Sequence, residues 1–258
     1  RRVPAMTCFV QQGPQDGSPA TERTEIWLLF DDDYMYVVAR CWGTEPERMI
    51  ANEIRRDNFN INQNEAIAFS FDTFYDRRNG FMLYANPLGA RNDYSVVDEG
   101  TTNRDWNPLW EVAPGRFDGG WTVEIAIPFK SLRYRPGPAQ VWGLQIRRTV
   151  RRKNELTYLT PVPISVGRRG IFRLSDAATM VGLEVPAGDH TLEFKPYAIS
   201  GLTTDVTATP PQQNDLDGDV GVDVKYGITR NLTADLTYNT DFAQVEVDEQ
   251  QVNLTRFN

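Results

Sequence analysis

Residues Glu65–Val97, EAIAFSFDTFYDRRNGFMLYANPLGARNDYSVV, decide the fold class. Ile67, Phe69 and Phe71 alternate with Ala66, Ala68 and Ser70, and Phe81, Leu83 and Ala85 alternate with Met82, Tyr84 and Asn86. A side-chain period of two marks a strand, and Asn79-Gly80 between the runs supplies turn chemistry. The spacing predicts a β-hairpin with an apolar face. Its loop and the segment behind it carry Asp72, Asp76, Arg77, Arg78, Arg91, Asn92, Asp93 and Tyr94. Two readings fit these side chains: a stiff platform for a ligand, or the solvated end of a hairpin.

The same period recurs on either side. Ile26, Leu28 and Phe30 share a face, Asp31-Asp32-Asp33 make a turn, and Tyr36 to Trp42 return. Three adjacent carboxylates fit an acidic turn or a calcium ligand set, because calcium takes several oxygen ligands. Residues 1–22 read as loop, Glu45–Arg56 allows a short helical turn, and Asp57–Asn64 reads as polar loop. Asn103–Trp110 is a loop before a short strand. Trp121, Val123, Ile125 and Ile127 then alternate with Thr122, Glu124 and Ala126, a single helical turn follows Pro128, and Trp142, Leu144 and Ile146 align in another strand. Short strands separated by turn signals predict an antiparallel sandwich, jelly-roll-like.

Beyond Gly182 the pattern changes. His190–Leu202 alternates, and Thr203–Gly218 reads as a polar loop. Val220, Val222, Val224 and Tyr226 then alternate with polar residues or glycine, as do Leu232, Ala234, Leu236 and Tyr238. One apolar face, one polar face and an aromatic at the strand end is the pattern of an outer-membrane barrel. An ordinary half-buried antiparallel sheet has the same period.

The chain has 258 residues, 40% hydrophobic and 11% aromatic, enough for one large or two medium domains. Its formal net charge of -8 argues against general affinity for nucleic acid, which needs clustered Lys and Arg. The basic run Arg147–Lys153 reads as solvated charge at a strand end. Cys8, Cys41 and His190 cannot supply a zinc site, and a disulfide or a buried Cys41 thiol both remain open. No apolar run approaches the ~20 residues of a membrane helix. The chain opens on Arg1-Arg2-Val3-Pro4 without a signal peptide, as a mature form or a fragment does.

Four segments in order, TERTEIWLLFDDDYMYVVARCW (21–42), FDTFYDRRNGFMLYANPLGARNDYSV (71–96), DWNPLWEVAPGRFDGGWTVEIAIPFKSLRY (105–134) and VWGLQIRR (141–148), resemble a group of bacterial outer-membrane proteins. The closing stretch Tyr238 to Phe257, YNTDFAQVEVDEQQVNLTRF, is similar to a segment they carry inside the early barrel. The resemblance implies an N-terminal domain similar to carbohydrate-binding module family 9, a β-sandwich related to DOMON-like domains, followed by a β-barrel of unknown function. It also implies an outer-membrane location in a Gram-negative envelope, with the sandwich facing periplasm or cell surface. Two departures stand out: the module's usual Asp-Gly first-strand segment is missing before Arg1, and too few strands follow His190 to close a barrel. The chain is therefore expected to be a piece of a longer protein, or its tail to be covered by a partner.

The expected architecture is all-β: an antiparallel β-sandwich over residues 1–183, then a linker and the first strands of an incomplete outer-membrane barrel over 184–258. Sugar recognition needs flat aromatics against pyranose C–H faces and planar polar groups to orient hydroxyls. Trp106, Trp110, Tyr94, Arg77, Arg91 and Asn92 are the supply. Trp106 stands in a polar loop, whereas Trp27, Trp42, Trp121 and Trp142 lie in strand patterns and read as core. Family-9 modules hold sugar ends between two tryptophans and also carry calcium, so the resemblance makes a structural calcium on Asp72, Asp76 and Asp93 an expectation, with Asp98 and Asp105 as further oxygen donors. A glycosidase would need two carboxylates flanking a cleft, for which Glu65, Asp72, Glu111 and Glu124 are available. DOMON kinship adds haem held by Met and His or Lys, with His190 the lone imidazole. The leading expectation is a non-catalytic domain that binds a glycan or other small ligand, attached to an outer-membrane barrel. Its alternatives are a plug or docking domain that contacts other envelope proteins, and a glycoside-hydrolase-associated protein involved in carbohydrate catabolism.

Overall fold

A computed structural model describes residues 3–135, 137, 139–185, 192–205, 212–229 and 232–239. The chain divides into two compact units, Arg1–Ala187 and Gly188–Asn258.

The first unit holds twelve strands: β1 (Val10–Gly13), β2 (Thr24–Phe30), β3 (Tyr34–Trp42), β4 (Ala66–Asp72), β5 (Gly80–Ala85), β6 (Arg91–Val97), β7 (Thr101–Asn103), β8 (Glu111–Phe117), β9 (Gly120–Pro128), β10 (Ala139–Val150), β11 (Glu155–Tyr158) and β12 (Ala178–Glu184). They form two antiparallel sheets. The larger runs β1-β11-β10-β4-β5-β6-β7, with β12 also on β10, and the smaller runs β2-β3-β9-β8. The predicted hairpin sits at the centre of the larger sheet, with Phe69 opposite Leu83 on one side and Ile146 on the other. Ile67, Phe69, Phe71, Leu83, Leu144 and Ile146 meet Ile26, Val37, Ala39, Val123 and Ile125 in one buried cluster between the sheets. Each Val, Leu, Ile or Phe side chain among them contributes ~1.5–3 kcal/mol on full burial. Gly120, at φ +150°, lets β9 pair to its end, because a Cβ there would run into the Cys41 carbonyl.

β4 is buried along its whole length. Its second face, Ala66 and Ala68, joins Ile61, Met82, Tyr84, Tyr158 and Ile171 in a second cluster. Two 3-10 segments, Phe59–Gln63 and Ile164–Phe172, supply Ile61 and Ile171 to it. Ser70, on the same face, gives its hydroxyl to the Ile171 carbonyl at 2.7 Å. Asp57–Asn64 is thus partly helical rather than plain loop, and Arg91–Val97, read from sequence only as the segment after the hairpin, is a paired strand.

Two sequence expectations change here. Trp121 and Trp142 are core residues, but Trp27 and Trp42 are not: each alternates with the buried residues of its strand and is only half-buried. Arg147 and Arg148 are not solvated, at 5% and 2% exposure, because β10 runs through the middle of the larger sheet.

The second unit contains β13 (Leu192–Asp205), β14 (Gln212–Thr229) and β15 (Leu232–Tyr238), paired antiparallel in that order. Pro196 faces Val222, which faces Tyr238; Phe194 faces Val224, which faces Leu236. Phe194, Leu202, Leu216, Val220, Leu236 and Tyr238 are all more than 60% exposed. Among the described residues this sheet is open, not a closed barrel. The expected polar loop Thr203–Gly218 is strand wherever it is described, with Leu202 opposite Leu216. His190 and the tail beyond Asn239 lie outside the described residues.

Candidate functional site

Strand β6 sorts the sequence-predicted residues onto two faces. Arg91 and Asp93 point the way of Leu83 and Ala85, toward the core between the sheets, while Asn92 and Tyr94 point the way of Met82 and Tyr84. The period of two separates neighbours that the sequence places side by side.

On the inner face a closed network forms. Asp93 is 2% exposed and accepts hydrogen bonds from Trp110 Nε1 and an Arg56 Nη2, both at 2.9 Å. Arg91 donates through Nη1 to the Trp110 carbonyl at 2.5 Å, its guanidinium 5.6 Å from the indole centre. Burial pushes the Asp93 carboxyl above the usual range, opposed by Trp110 and Arg56, and burial beside Arg56 pulls Arg91 down. Trp110 is itself 2% exposed, so no ring face is left for a ligand. Trp106 is half-buried and stacked on Phe81 at 4.5 Å.

Arg77 lies at the other end of the hairpin. Its guanidinium sits 4.3 Å from the Tyr75 ring centre and donates to the Ala177 carbonyl and, at 2.9 Å, to Thr179 Oγ1. It clamps the loop to the start of β12 and the residue before it.

The outer face carries an open rim. Arg104 places its guanidinium carbon 5.7 Å from the Phe59 ring centre and 5.8 Å from that of Tyr94. Tyr94 continues the row through an edge contact with Phe172 at 6.4 Å. Phe59 is 63% exposed, and Arg104 is exposed beside it. The local fold explains the position: Asn58 caps the 3-10 turn through Asn60 N–H at 2.9 Å, and buried Ile61 anchors that turn to the sheet. Asn92 donates to the Asn58 carbonyl at 3.3 Å and to Tyr94 OH at 3.1 Å. Its Oδ1 is buried and has no hydrogen-bond partner among the described residues.

Behind the rim, register aligns Asn92, Tyr84, Ala68, Arg147 and Tyr158 across five strands. Arg147 lies 5.3 Å from the Tyr84 ring centre and donates to the Arg168 carbonyl at 2.7 Å. Burial raises the Tyr158 hydroxyl, opposed by that guanidinium. This floor is covered, so a ligand meets the rim first. Phe59, Arg104 and Phe172 were not among the sequence candidates. The signal for Phe59 was an aromatic inside a polar Asn-rich run, and Arg104 had none.

The acidic candidates disperse. Asp72 accepts from the N–H groups of Asp76 and Arg77 at 3.1 and 2.7 Å, and Asp76 from those of Arg78 and Asn79, both at 2.8 Å. Burial raises Asp72 against those donors; at Asp76 burial is outweighed by the Asn79 side chain and N–H, and the carboxyl sits low. Asp98 pairs with Arg78 at 2.8 Å. Asp31 accepts from Asp33 and Tyr34 N–H groups and from Tyr36 OH. Among the described residues no three acidic, Cys or His side chains come together, so Asp72, Asp76 and Asp93 form no metal cluster. Glu65 is buried between the sheets, while Glu111 and Glu124 are exposed on the smaller sheet. These carboxylates do not flank one cleft.

A small pocket lies beside Glu22, Trp42, Glu65, Trp121, Arg148 and Arg152. Most of its polar groups are engaged: Arg152 and Lys153 pair with Glu22, and Arg148 donates to the Arg23 and Trp42 carbonyls and Thr24 Oγ1, while Arg148 Nε and Trp121 Nε1 have no hydrogen-bond partner among the described residues. It is an internal latch, and the rim is the open surface.

Residues 190–258 match a domain of unknown function, DUF5916. No curated protein matches the sequence. A candidate carbohydrate-binding protein from Bacteroides uniformis aligns with TM-score 0.52 and 8% identity, over 69% of this chain and 85% of that one. A carbohydrate-binding module of family 9 from Caldicellulosiruptor kristjanssonii, solved with cellotriose, aligns at 14% identity and TM-score 0.49 over 72% of this chain and 84% of its own. The same module with glucose gives 12% and 0.47 over the same shares. The first likeness establishes the sandwich fold.

Proposed function

We propose that the sandwich unit is a non-catalytic glycan-binding module whose ligand docks on the rim of Phe59, Arg104 and Tyr94. The carrying observation is the stack itself: two rings within 6 Å of one guanidinium, with Phe59 and Arg104 exposed and Tyr94 half-buried beside them. Aromatic rings cover pyranose C–H faces, and the exposed Arg104 guanidinium supplies a planar polar group for hydroxyls. The fold shared with the Bacteroides uniformis protein supports this ligand class. Among the sequence candidates, Tyr94 takes ligand contact, buried Asn92 braces it through the bond to its hydroxyl, and Trp110, Arg91 and Arg77 hold the scaffold. A glycan array of the wild type against Phe59→Ala tests it. A sugar bound by the wild type and lost in the variant supports the rim; equal binding by both removes it.

The second unit favours an envelope setting. Its sheet presents apolar side chains on one face in register across three strands, which in water would be an unfavourable patch. Lipid is the solvent that suits it, so we place the protein at the outer membrane, with these strands opening a barrel and the sandwich in periplasm or at the surface. Fractionating the native cells decides this. Recovery in the outer-membrane fraction is expected, and recovery as a freely soluble protein contradicts it.

A further inference from the structure

We infer that the outer face of the smaller sheet is a second polysaccharide-contacting surface, built on Arg40 between Trp27, Trp42 and Phe117. The Arg40 guanidinium carbon lies 5.9 Å from each indole and 5.8 Å from the Phe117 ring centre. Trp42 and Phe117 meet edge-to-face at 4.9 Å. The register puts Glu25 opposite Arg40 and Trp27 opposite Val38, so all these side chains leave the sheet on the side away from the core. The core between the sheets is filled without them, by Ile26, Val37, Ala39, Val123 and Ile125. Two tryptophans at solvent-facing strand positions therefore need another account.

The surface is fixed in place. Glu25, 8% exposed, accepts from Trp42 Nε1 at 2.9 Å and Arg23 at 2.6 Å, with Arg40 at 3.9 Å. Trp27 Nε1 donates to the Val3 carbonyl at 3.2 Å. Rings and guanidinium alternate, so the patch is not a continuous apolar one, and Glu25 offsets the two arginines. A lipid surface calls for the opposite: unbroken apolar area or uncompensated basic charge. A chain of pyranoses alternates C–H faces with hydroxyl edges and matches this spacing of ring and planar cation. The rim lies on the outer face of the other sheet, so a polymer is engaged from two sides of one module, and retention rises by avidity. This shares its ligand class with the rim assignment but stands on different residues.

The test is retention of the whole chain on insoluble cellulose, chitin and peptidoglycan, and on vesicles of phosphatidylethanolamine and phosphatidylglycerol. Wild type is compared with Trp27→Ala, Arg40→Gln and Phe59→Ala, each checked for a wild-type unfolding transition. Trp27→Ala and Arg40→Gln are expected to lower retention on the polymer that holds the wild type by about tenfold, the effect of one stacking contact. A purely structural cation–π ladder would shift unfolding and leave retention unchanged in both folded variants, which overturns the inference. Failure of every polymer to retain the wild type overturns it too, as does vesicle capture that depends on Trp27. Loss in Phe59→Ala alone leaves the rim and removes this surface; loss in Trp27→Ala and Arg40→Gln alone does the reverse.

Discussion

Trp110 donates its indole N–H to Asp93 at 2.9 Å, with both side chains 2% exposed. This bond fastens the loop 104–110 to β6 and sets how the edge of the larger sheet meets solvent. A buried carboxylate is tolerated only while donors surround it, and Asp93 has two: Trp110 and Arg56. Trp110→Phe removes one donor and keeps most of the packing, for an expected loss of about 1–3 kcal/mol. Combined with Asp93→Asn, the losses should fall short of additive by about 1 kcal/mol or more in urea unfolding, because the second change removes the group that the first leaves unpaired. Additivity would show that the bond does not form.

Acid sensitivity has a named source. Glu53 is held at about 2 by the Arg55 guanidinium first, then by the N–H groups of Arg55 and Ile54. A carboxyl depressed in the folded state stabilises above its unfolded value and loses that contribution as pH falls through the folded one. The window therefore runs from about 4.5 down to about 2. Glu65 and Asp93, both raised by burial, act with the opposite sign, and their contribution declines as pH rises through their folded values. Urea midpoints measured from pH 5 to pH 2 should fall less steeply in Glu53→Gln than in the wild type. Identical slopes would contradict the ion pair.

The two thiols should differ in reactivity. Cys41 is fully buried on β3, and burial pushes its thiol up to about 11, while Cys8 is exposed. Thiolate is the reactive form, so a thiol reagent at pH 8 should label one cysteine in the folded protein and two after denaturation. Two fast-labelling groups would place Cys41 at the surface, and none even after denaturation would mean a disulfide.

The central strands and the core of the sandwich were legible because alternation in Ile67–Phe71 and Trp121–Ile127 is a direct consequence of burying one sheet face, whereas Val10–Gly13 and Arg91–Val97 were not read as strands. That same rule cannot say which of two faces is buried when both are apolar. Trp27 and Trp42 were read as core for that reason, whereas the smaller Ile26, Val37, Ala39 and Cys41 fill it. Arg147 and Arg148 read as solvated because sequence carries no sign that β10 runs mid-sheet. Two of the three rim residues escaped notice for a different reason. Tyr94 was visible as a candidate, but its partners Phe59 and Arg104 lie 35 residues before and 10 after it in sequence, and only pairing of the sheet assembles them. The three-stranded alternation of the second unit was visible at once, although β14 extends well into the stretch that composition marked as loop.

The central claim is that sugar rests on the Phe59–Arg104–Tyr94 rim, and titration calorimetry tests it most directly. The whole chain is titrated with the best soluble oligosaccharide from the array, for the wild type, Tyr94→Ala and Trp106→Ala. Tyr94→Ala should weaken affinity by about tenfold, ~1.4 kcal/mol, while Trp106→Ala, whose ring is spent on Phe81, should bind as the wild type does. Undiminished binding by folded Tyr94→Ala, or loss confined to Trp106→Ala, would contradict the account.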